Sequence, residues 1–183
     1  DKDGRPIPNP AKEPAPDGRL IAPDEGGMTN YRSPSFDPKT GLFLVSASPS
    51  FSLYFSKPAD ATYGWAGADY SLWRKGVPEA IDYKTGKERW SHELGRRAGS
   101  GVLTTDSGLT FTGDSSGNFL GLSTATGKTL WHANAGAQIA SSPITYELDG
   151  HQVLVTSAGS VLYAWKLPHV PAVNSKSPAS SKE

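Results

Sequence analysis

The side chains that could do chemistry in this sequence are mainly imidazoles and carboxylates. Histidine can ligate a metal or transfer a proton, but the spacing of a metal site is missing among His92, His132, His151 and His169. Carboxylates could act as general acids or bases, and they stand at Asp69, Glu79, Asp82, Asp106 and Asp114. Most of these positions flank turns. Asp114, directly before Ser115-Ser116-Gly117, is therefore predicted to be a turn residue rather than a base.

Composition excludes several classes of site and partner. The 183 residues hold 18 basic and 18 acidic side chains, and a net charge of zero favours neither nucleic acid nor a membrane surface. No apolar run approaches the roughly 18 residues of a spanning helix. The absence of cysteine removes thiol catalysis, disulfides and thiolate metal sites. Because the single methionine is Met28, we expect a processed chain or a piece of a longer one.

The two ends of the chain differ in composition from the middle. Residues 1–29 are rich in proline and lack apolar periodicity, so they are predicted to be an extended connector. Residues 168–183 are small and polar, and they offer too little apolar surface to offset the entropy of ordering. We predict a disordered tail over 168–183.

The middle of the chain repeats itself. Gly86 and Gly127 are 41 residues apart, as are Trp90 and Trp131, and the pair Ser33-Pro34 recurs 109 residues later. Periods of about 40–50 residues with four strand-like runs in each unit are typical of a β-propeller. The fold is therefore predicted to be all-β, with blades over 30–94, 99–134 and 139–167.

Alternation and turn chemistry give the strands. The second blade shows four short runs, at 102–105, 109–113, 119–122 and 128–132, separated by pairs that end in glycine. Thr-Gly pairs at 40–41, 85–86 and 126–127 suit hairpin loops in which glycine takes a positive φ. The resulting count is about three blades, whereas closed propellers need at least four. We expect the chain to be the C-terminal part of a larger propeller.

The first blade carries an aromatic insertion over 49–76. A loop of that length is uncommon and is usually functional or disordered, and this one is too aromatic to be disordered. Three uses stay open: a lid over a central funnel, a docking patch for an electron acceptor, or packing on a neighbouring blade. Trp65 and Trp73 are the first candidates for shaping a substrate entrance.

The repeats resemble a known motif. Residues 80–90, AIDYKTGKERW, look like the tryptophan-docking motif of quinoprotein dehydrogenases, and 121–131 repeats the pattern. Upstream, Gly26-Gly27-Met28-Thr29-Asn30 is similar to the Gly-Gly-Thr-Asn segment of dehydrogenases that use pyrroloquinoline quinone (PQQ). The chain most resembles the end of an eight-bladed PQQ-dependent dehydrogenase, and each docking Trp is expected to fill the gap between two blades.

The resemblance implies a function for the intact protein. It would be a bacterial periplasmic oxidoreductase that oxidises a small alcohol or sugar and passes electrons to a cytochrome or quinone. PQQ and calcium would lie on the propeller axis, with the catalytic carboxylate in the missing N-terminal blades, so this segment alone is not expected to be active. Asn30 matches a cofactor contact of the family, since its amide can both donate and accept a hydrogen bond. The alternative for Asn30 is an amide that satisfies turn backbone.

Two departures from the family keep a second function open. Alcohol-oxidising relatives often place a Trp under the cofactor where this chain has residues 96–101, RRAGSG, and a Gly-Gly-Trp where it has residues 157–161. Arg96 and Arg97 could supply replacement charge for an anionic cofactor or could be a solvated pair. The alternative function is a cofactor-free propeller that binds proteins in the bacterial envelope.

Overall fold

The computed structural model describes residues 1–56 and 67–166. In these two ranges one 3-10 turn (Pro10–Lys12) accompanies strands only, which confirms the all-β prediction. The strands are β1 (Arg19–Ile21), β2 (Ser35–Asp37), β3 (Leu42–Ala47), β4 (Ser50–Ser56), β5 (Gly67–Arg74), β6 (Val77–Asp82), β7 (Glu88–Ser91), β8 (Leu103–Thr104), β9 (Leu109–Gly113), β10 (Asn118–Ser123), β11 (Thr129–Asn134), β12 (Ile144–Leu148), β13 (His151–Ala158) and β14 (Val161–Lys166). The described part of the chain has no helix long and apolar enough to cross a membrane.

The second blade is a four-stranded antiparallel meander, β8-β9-β10-β11. Glycines at Gly108, Gly117 and Gly127 take left-handed φ values between its strands, as the hairpins require. Side chains of β10 alternate between two cores: Leu120 and Leu122 pack toward the first blade, whereas Phe119 packs toward the third. The period of two thus places one apolar surface on each face of the blade.

The first blade has the same order of strands, β2-β3-β6-β7. Its two central strands pair in register, with Leu44 opposite Ala80, although the whole insertion separates them in sequence. The third blade contributes β12-β13-β14 to the described residues. Its β13 buries Val153, Val155 and Ala158.

The insertion adds a sheet of its own, which we call the insertion sheet. Its strands β4 and β5 form an antiparallel hairpin, and β1, from the proline-rich segment, pairs with β4 through Leu20 opposite Leu53. Residues 1–29, predicted to be extended, therefore include a strand that belongs to this sheet. Residues 57–66 and the predicted tail 168–183 lie outside the described residues.

The seam between the first and second blades is closed by Trp90. The indole is buried at 9% exposure, and its Nε1 donates a hydrogen bond to the Thr124 carbonyl of the second blade at 2.8 Å. It packs in one core with Leu42, Leu44, Ala80, Val102 and Leu122. At the other end of the seam, Ser35 Oγ and Thr104 Oγ1 are 2.6 Å apart. A buried indole of this kind stabilises the contact through its area and through a satisfied N–H.

Trp131, one repeat later, is less enclosed. It remains 36% exposed and makes edge contacts with Phe119 and Trp165, at centroid distances of 5.9 and 5.7 Å. The turn that offers Thr124 in the second blade corresponds to the chain after β14, where the description ends. Trp90 thus fills the gap between two blades as expected, whereas Trp131 contacts the third blade through Trp165 but stays partly open within the described residues.

Replacing Trp90 by Ala should lower the free energy of unfolding by about 3–5 kcal/mol, because it empties the seam and removes the partner of the Thr124 carbonyl. The measurement is denaturant unfolding of the protein that carries this chain. Trp73→Ala is the control, since Trp73 is 42% exposed and lies outside the seam. Equal losses for the two substitutions would contradict the closing role of Trp90.

Gly127→Ala should cost more than Gly86→Ala, although the two glycines occupy the same turn of successive repeats. Both take left-handed φ values, +69° and +67°, which penalise any L side chain by about 1–2 kcal/mol. A Cβ at Gly127 would also stand 2.6 Å from Trp90 Cε3, whereas one at Gly86 would meet nothing within 4 Å. We expect a further loss of about 1–3 kcal/mol at Gly127. Thermal or denaturant unfolding of the two variants checks the difference, and identical stabilities would refute it.

Candidate functional site

A polar pocket of about 250 Å³ lies beside the start of the first blade. It brings together the segment that precedes β2, the end of the insertion sheet and the connection between the first and second blades. Its lining residues are Gly26, Gly27, Met28, Thr29, Asn30, Tyr31, Arg32, Ser48, Arg74 and Arg97. This pocket contains the Gly-Gly segment and one of the two arginines that the sequence analysis singled out.

A tight turn at Asp24 shapes one wall of the pocket. The Asp24 carboxylate accepts a hydrogen bond from the Gly26 N–H at 3.0 Å, and the Asp24 carbonyl accepts one from the Gly27 N–H at 2.9 Å. Gly27 has a φ of +67°, which glycine adopts without the steric cost of a Cβ. The segment is then anchored to the first blade, because the Ser48 N–H donates to the Met28 carbonyl at 2.6 Å.

A buried ion pair joins this turn to the insertion sheet. Arg74, the last residue of β5, donates a hydrogen bond from its guanidinium to Asp24, whose side chain is 3% exposed. Burial alone would raise the pKa of the Asp24 carboxyl, but the hydrogen bond and positive charge of Arg74, together with the Gly26 N–H, hold it below its ordinary value of 3.8. Asp24 therefore stays ionised at neutral pH.

Asn30 is exposed and lines the pocket. Its Nδ2 donates to the Gly26 carbonyl at 3.1 Å, and its Oδ1 accepts from the Tyr31 N–H at 2.8 Å. These bonds fix the side-chain amide against the turn. They leave a second N–H and a second lone pair for a further partner. Contact between Asn30 and a cofactor stays a prediction.

Two further arginines reach the pocket from its other side. The Arg32 Nε donates to the Gly99 carbonyl at 3.3 Å, and its guanidinium lies 5.1 Å from the centre of the Tyr31 ring. Arg97 has an exposed side chain, and its carbonyl accepts a hydrogen bond from the Ser115 N–H at 3.1 Å. Arg96, its neighbour in sequence, does not line the pocket.

Sequence reasoning missed Arg32 and Arg74 as pocket residues. Arg32 follows Asn30 by two positions, so its place in the segment was a usable signal. Arg74 carried no comparable signal, because its approach to Asp24 depends on how β4 and β5 pair across the insertion.

Two of the candidate carboxylates, Asp114 and Asp82, hold turns. The Asp114 carboxylate accepts hydrogen bonds from the N–H groups of Ser116 and Asn118 at 2.8 and 3.0 Å, which confirms the turn prediction. Asp82 caps the hairpin turn between β6 and β7, where the N–H groups of Lys84 and Thr85 donate to its carboxylate. Among residues 1–56 and 67–166, no three His, Asp or Glu side chains come together in a way that could hold a metal ion.

The aromatic residues of the insertion form pairs on the insertion sheet. Phe51 lies 5.6 Å from Trp73, and Phe55 lies 5.8 Å from Tyr70, between ring centroids. Trp73 does not line the pocket, whereas its neighbour Arg74 does. Trp65, the other candidate for a substrate entrance, lies outside the described residues.

A second cavity, of about 340 Å³, lies between the second and third blades. Its walls are mainly apolar, and they include Phe111, Trp131, Leu154 and Trp165. Lys166 is its one charged lining residue among those described. This cavity is a gap beside the exposed Trp131.

Comparison with known proteins places these blades in a family. A family model, PQQ_2, which is described as outer membrane protein assembly factor BamB, matches residues 74–167, a little over half of the chain. The chain belongs to the PQQ_2 family.

Most of the chain also matches part of the PQQ-dependent alcohol dehydrogenases. It is 32% identical over 177 residues to the quinoprotein alcohol dehydrogenase PedH of Pseudomonas putida, which covers 87% of the chain and 29% of the relative. The resemblance to quinoprotein dehydrogenases is thus confirmed. The chain spans less than a third of the length of this relative.

Solved structures agree on the fold. The quinohemoprotein alcohol dehydrogenase of Comamonas testosteroni superposes with a TM-score of 0.75 at 24% identity, over 87% of this chain and 26% of that one. A europium-containing methanol dehydrogenase superposes with a TM-score of 0.66 at 28% identity, over 75% of this chain and 26% of that one. The sheets of this PQQ_2 chain therefore correspond to part of a quinoprotein propeller.

Replacing Asp24 by Asn should lower the free energy of unfolding by about 3 kcal/mol at neutral pH, because Arg74 loses its buried carboxylate. The pKa of Asp24 is lower in the folded chain than its ordinary 3.8. The pair therefore stabilises the fold above that pH, and this contribution is lost as the pH falls through the folded-state pKa. The difference between the two proteins should shrink below about pH 4. Denaturant unfolding at a series of pH values measures it.

Asp17→Asn is the matched control. Asp17 also pairs with an arginine, Arg19, at 2.7 Å, but its side chain is 74% exposed. We expect its loss to stay below about 1 kcal/mol. A loss at Asp24 no larger than that at Asp17 would show that the buried pair does not hold the turn.

Proposed function

We propose that the chain forms the C-terminal blades of a PQQ-dependent dehydrogenase that oxidises an alcohol or sugar and passes electrons to a cytochrome or quinone. The protein would work in the bacterial periplasm, as the resemblance implies. The observation that carries the proposal is the position of Asn30 in the wall of a polar pocket built from the Gly-Gly segment.

The polar groups of the pocket suit a quinone that carries carboxylates. Asn30 can offer one N–H and one lone pair beyond those used in its own turn. Three guanidinium groups line the same space, and guanidinium binds carboxylate in a fork of two hydrogen bonds. The donor set therefore fits an oxygen-rich anion better than it fits an apolar ligand.

In this proposal, the chain orients the cofactor rather than carrying out the reaction. PQQ, when bound, accepts the electrons that leave the substrate. Asn30 holds its polar edge, and the Asp24–Arg74 pair keeps the wall of the pocket rigid. The catalytic carboxylate and the ligands of a calcium ion would come from the N-terminal blades, and the segment alone would be inactive.

A cofactor-free scaffold is the second candidate function. It is favoured by the family description, which names an outer membrane assembly factor, and by the sequence RRAGSG at 96–101, which lacks a stacking Trp. Such a propeller would bind proteins in the bacterial envelope and leave the pocket empty.

Asn30→Ala should weaken PQQ binding roughly three- to tenfold, because it removes one or two hydrogen bonds at the edge of the cofactor. Absorbance and fluorescence titration of the full-length protein, in the presence of calcium, measures the dissociation constant. Saturable binding would then justify activity assays on panels of alcohols and sugars.

Asn9→Ala is the control for this experiment, since Asn9 is an exposed amide far from the pocket segment in sequence. Its PQQ affinity should equal that of the unmodified protein. Absence of PQQ binding to the folded protein would reject the dehydrogenase and support the scaffold.

A further inference from the structure

The polar pocket carries more positive charge than its surroundings neutralise. Arg32, Arg74 and Arg97 line it, and no lining residue is acidic. Asp24 stands behind Arg74 and neutralises that one guanidinium. Within residues 1–56 and 67–166, neither Arg32 nor Arg97 takes part in an ion pair. Two positive charges therefore face a pocket that has no described counter-ion.

The backbone holds two of these arginines close together. Gly76, two residues after Arg74, donates its N–H to the Arg96 carbonyl at 3.1 Å, and its own carbonyl accepts from the Leu94 N–H at 2.9 Å. A Cβ on Gly76 would stand 2.2 Å from the Ala98 nitrogen, so the two chain segments are in direct contact. The end of β5 and the connection at 94–98 are therefore held against each other. Arg74 and Arg97 project from it toward the same pocket.

Hydrogen bonds also hold the opposite wall of the pocket, which carries Arg32. The Val102 N–H donates to the Ser33 carbonyl at 2.9 Å, and Arg32 is tethered to Gly99 through its Nε. This tether uses one donor of the Arg32 guanidinium and leaves its other N–H groups without a hydrogen-bond partner in the described part of the chain. A guanidinium fixed by one bond loses little further freedom when it binds an anion.

Glycine at position 26 leaves the Arg74 guanidinium, the third in the pocket, open to a ligand. A Cβ on Gly26 would stand 2.9 Å from the Arg74 Nη2, so only glycine leaves this group accessible from the turn. The Arg74 Nε is buried and has no hydrogen-bond partner in the described structure. Asp24 already neutralises the charge of Arg74, so what this group lacks is a hydrogen-bond acceptor for its Nε.

We infer that the pocket binds an anion with more than one carboxylate, and that Arg97, together with Arg32, determines this specificity. The inference deepens the proposed function, because the ligand would be either the carboxylates of PQQ or a separate polycarboxylic acid. The Arg97 guanidinium would bind carboxylate oxygens through two parallel N–H donors.

The test compares an anionic quinone, an anion without a quinone and a neutral ligand. Calorimetric titration of the full-length protein with PQQ, citrate and glycerol, at low and high sodium chloride, gives the three affinities. We expect PQQ or citrate to bind, to weaken as salt rises and to lose roughly tenfold in affinity with Arg97→Ala or Arg32→Ala. The affinities of Arg97→Lys should lie between those of the unmodified protein and those of Arg97→Ala, because lysine keeps the charge but lacks the paired N–H donors of the guanidinium.

Arg96→Ala is the matched control, because it removes the same charge one residue away from a side chain that lines the pocket. It should change each affinity by less than about twofold. Circular dichroism of each variant establishes that the fold is kept. A general effect of net charge would instead weaken binding equally at Arg96 and Arg97, and would overturn the inference.

The outcomes separate this inference from the proposed function. Citrate binding that depends on Arg97, without PQQ binding, would support the anion pocket and reject the dehydrogenase. PQQ binding that is equal in the unmodified protein and in Arg97→Ala would support the dehydrogenase and overturn the role of the arginines. Binding of neither anion to the folded protein would overturn both.

Discussion

The packing of Trp90 across the seam between the first two blades is the contact on which the rest of the structure depends. The indole fixes the turn that contains Thr124 and Gly127 against the outer strand of the first blade. The connection from β7 to β8 is thereby held between two buried surfaces, with Leu94 and Val102 in the cores. Arg97 lies in the middle of that connection. A charged side chain at the end of an exposed loop would be mobile, but here its backbone is fixed on both sides by the seam.

The insertion sheet contributes to the pocket through its ends rather than through its aromatic centre. The hairpin β4–β5 leaves the first blade after Ala47 and returns at Val77, so its first and last residues must lie side by side. That closure brings Arg74 to the turn at Asp24, and the ion pair between them is shielded from water. An ion pair in this position stabilises little by itself relative to an apolar pair, but it specifies one arrangement of the turn. The aromatic pairs Phe51–Trp73 and Phe55–Tyr70 lie across the two strands of this hairpin.

The sequence repeat predicts the blades, whereas the pocket itself is identified only from the structure. The strands at 109–113 and the Thr-Gly hairpins follow from alternation and from the left-handed glycines, which are local properties of the sequence. Asp114 was recognisable as a turn residue for the same reason. The strand β1 was hidden in the proline-rich segment because its partner, β4, lies about thirty residues away. Arg74 was hidden because its function depends on the ion pair with Asp24, fifty positions earlier.

The residues of the pocket all stand where the repeat is interrupted. Each repeat encodes its own hairpins and the tryptophan that faces its seam. The segment at 26–32, Ser48 at the start of the insertion, Arg74 at its end and Arg97 between blades have no counterpart that the 41-residue period predicts. The pocket side chains are not members of the core that Trp90 forms between the first two blades. The chemistry of such a pocket can therefore differ between propellers whose blades have the same fold.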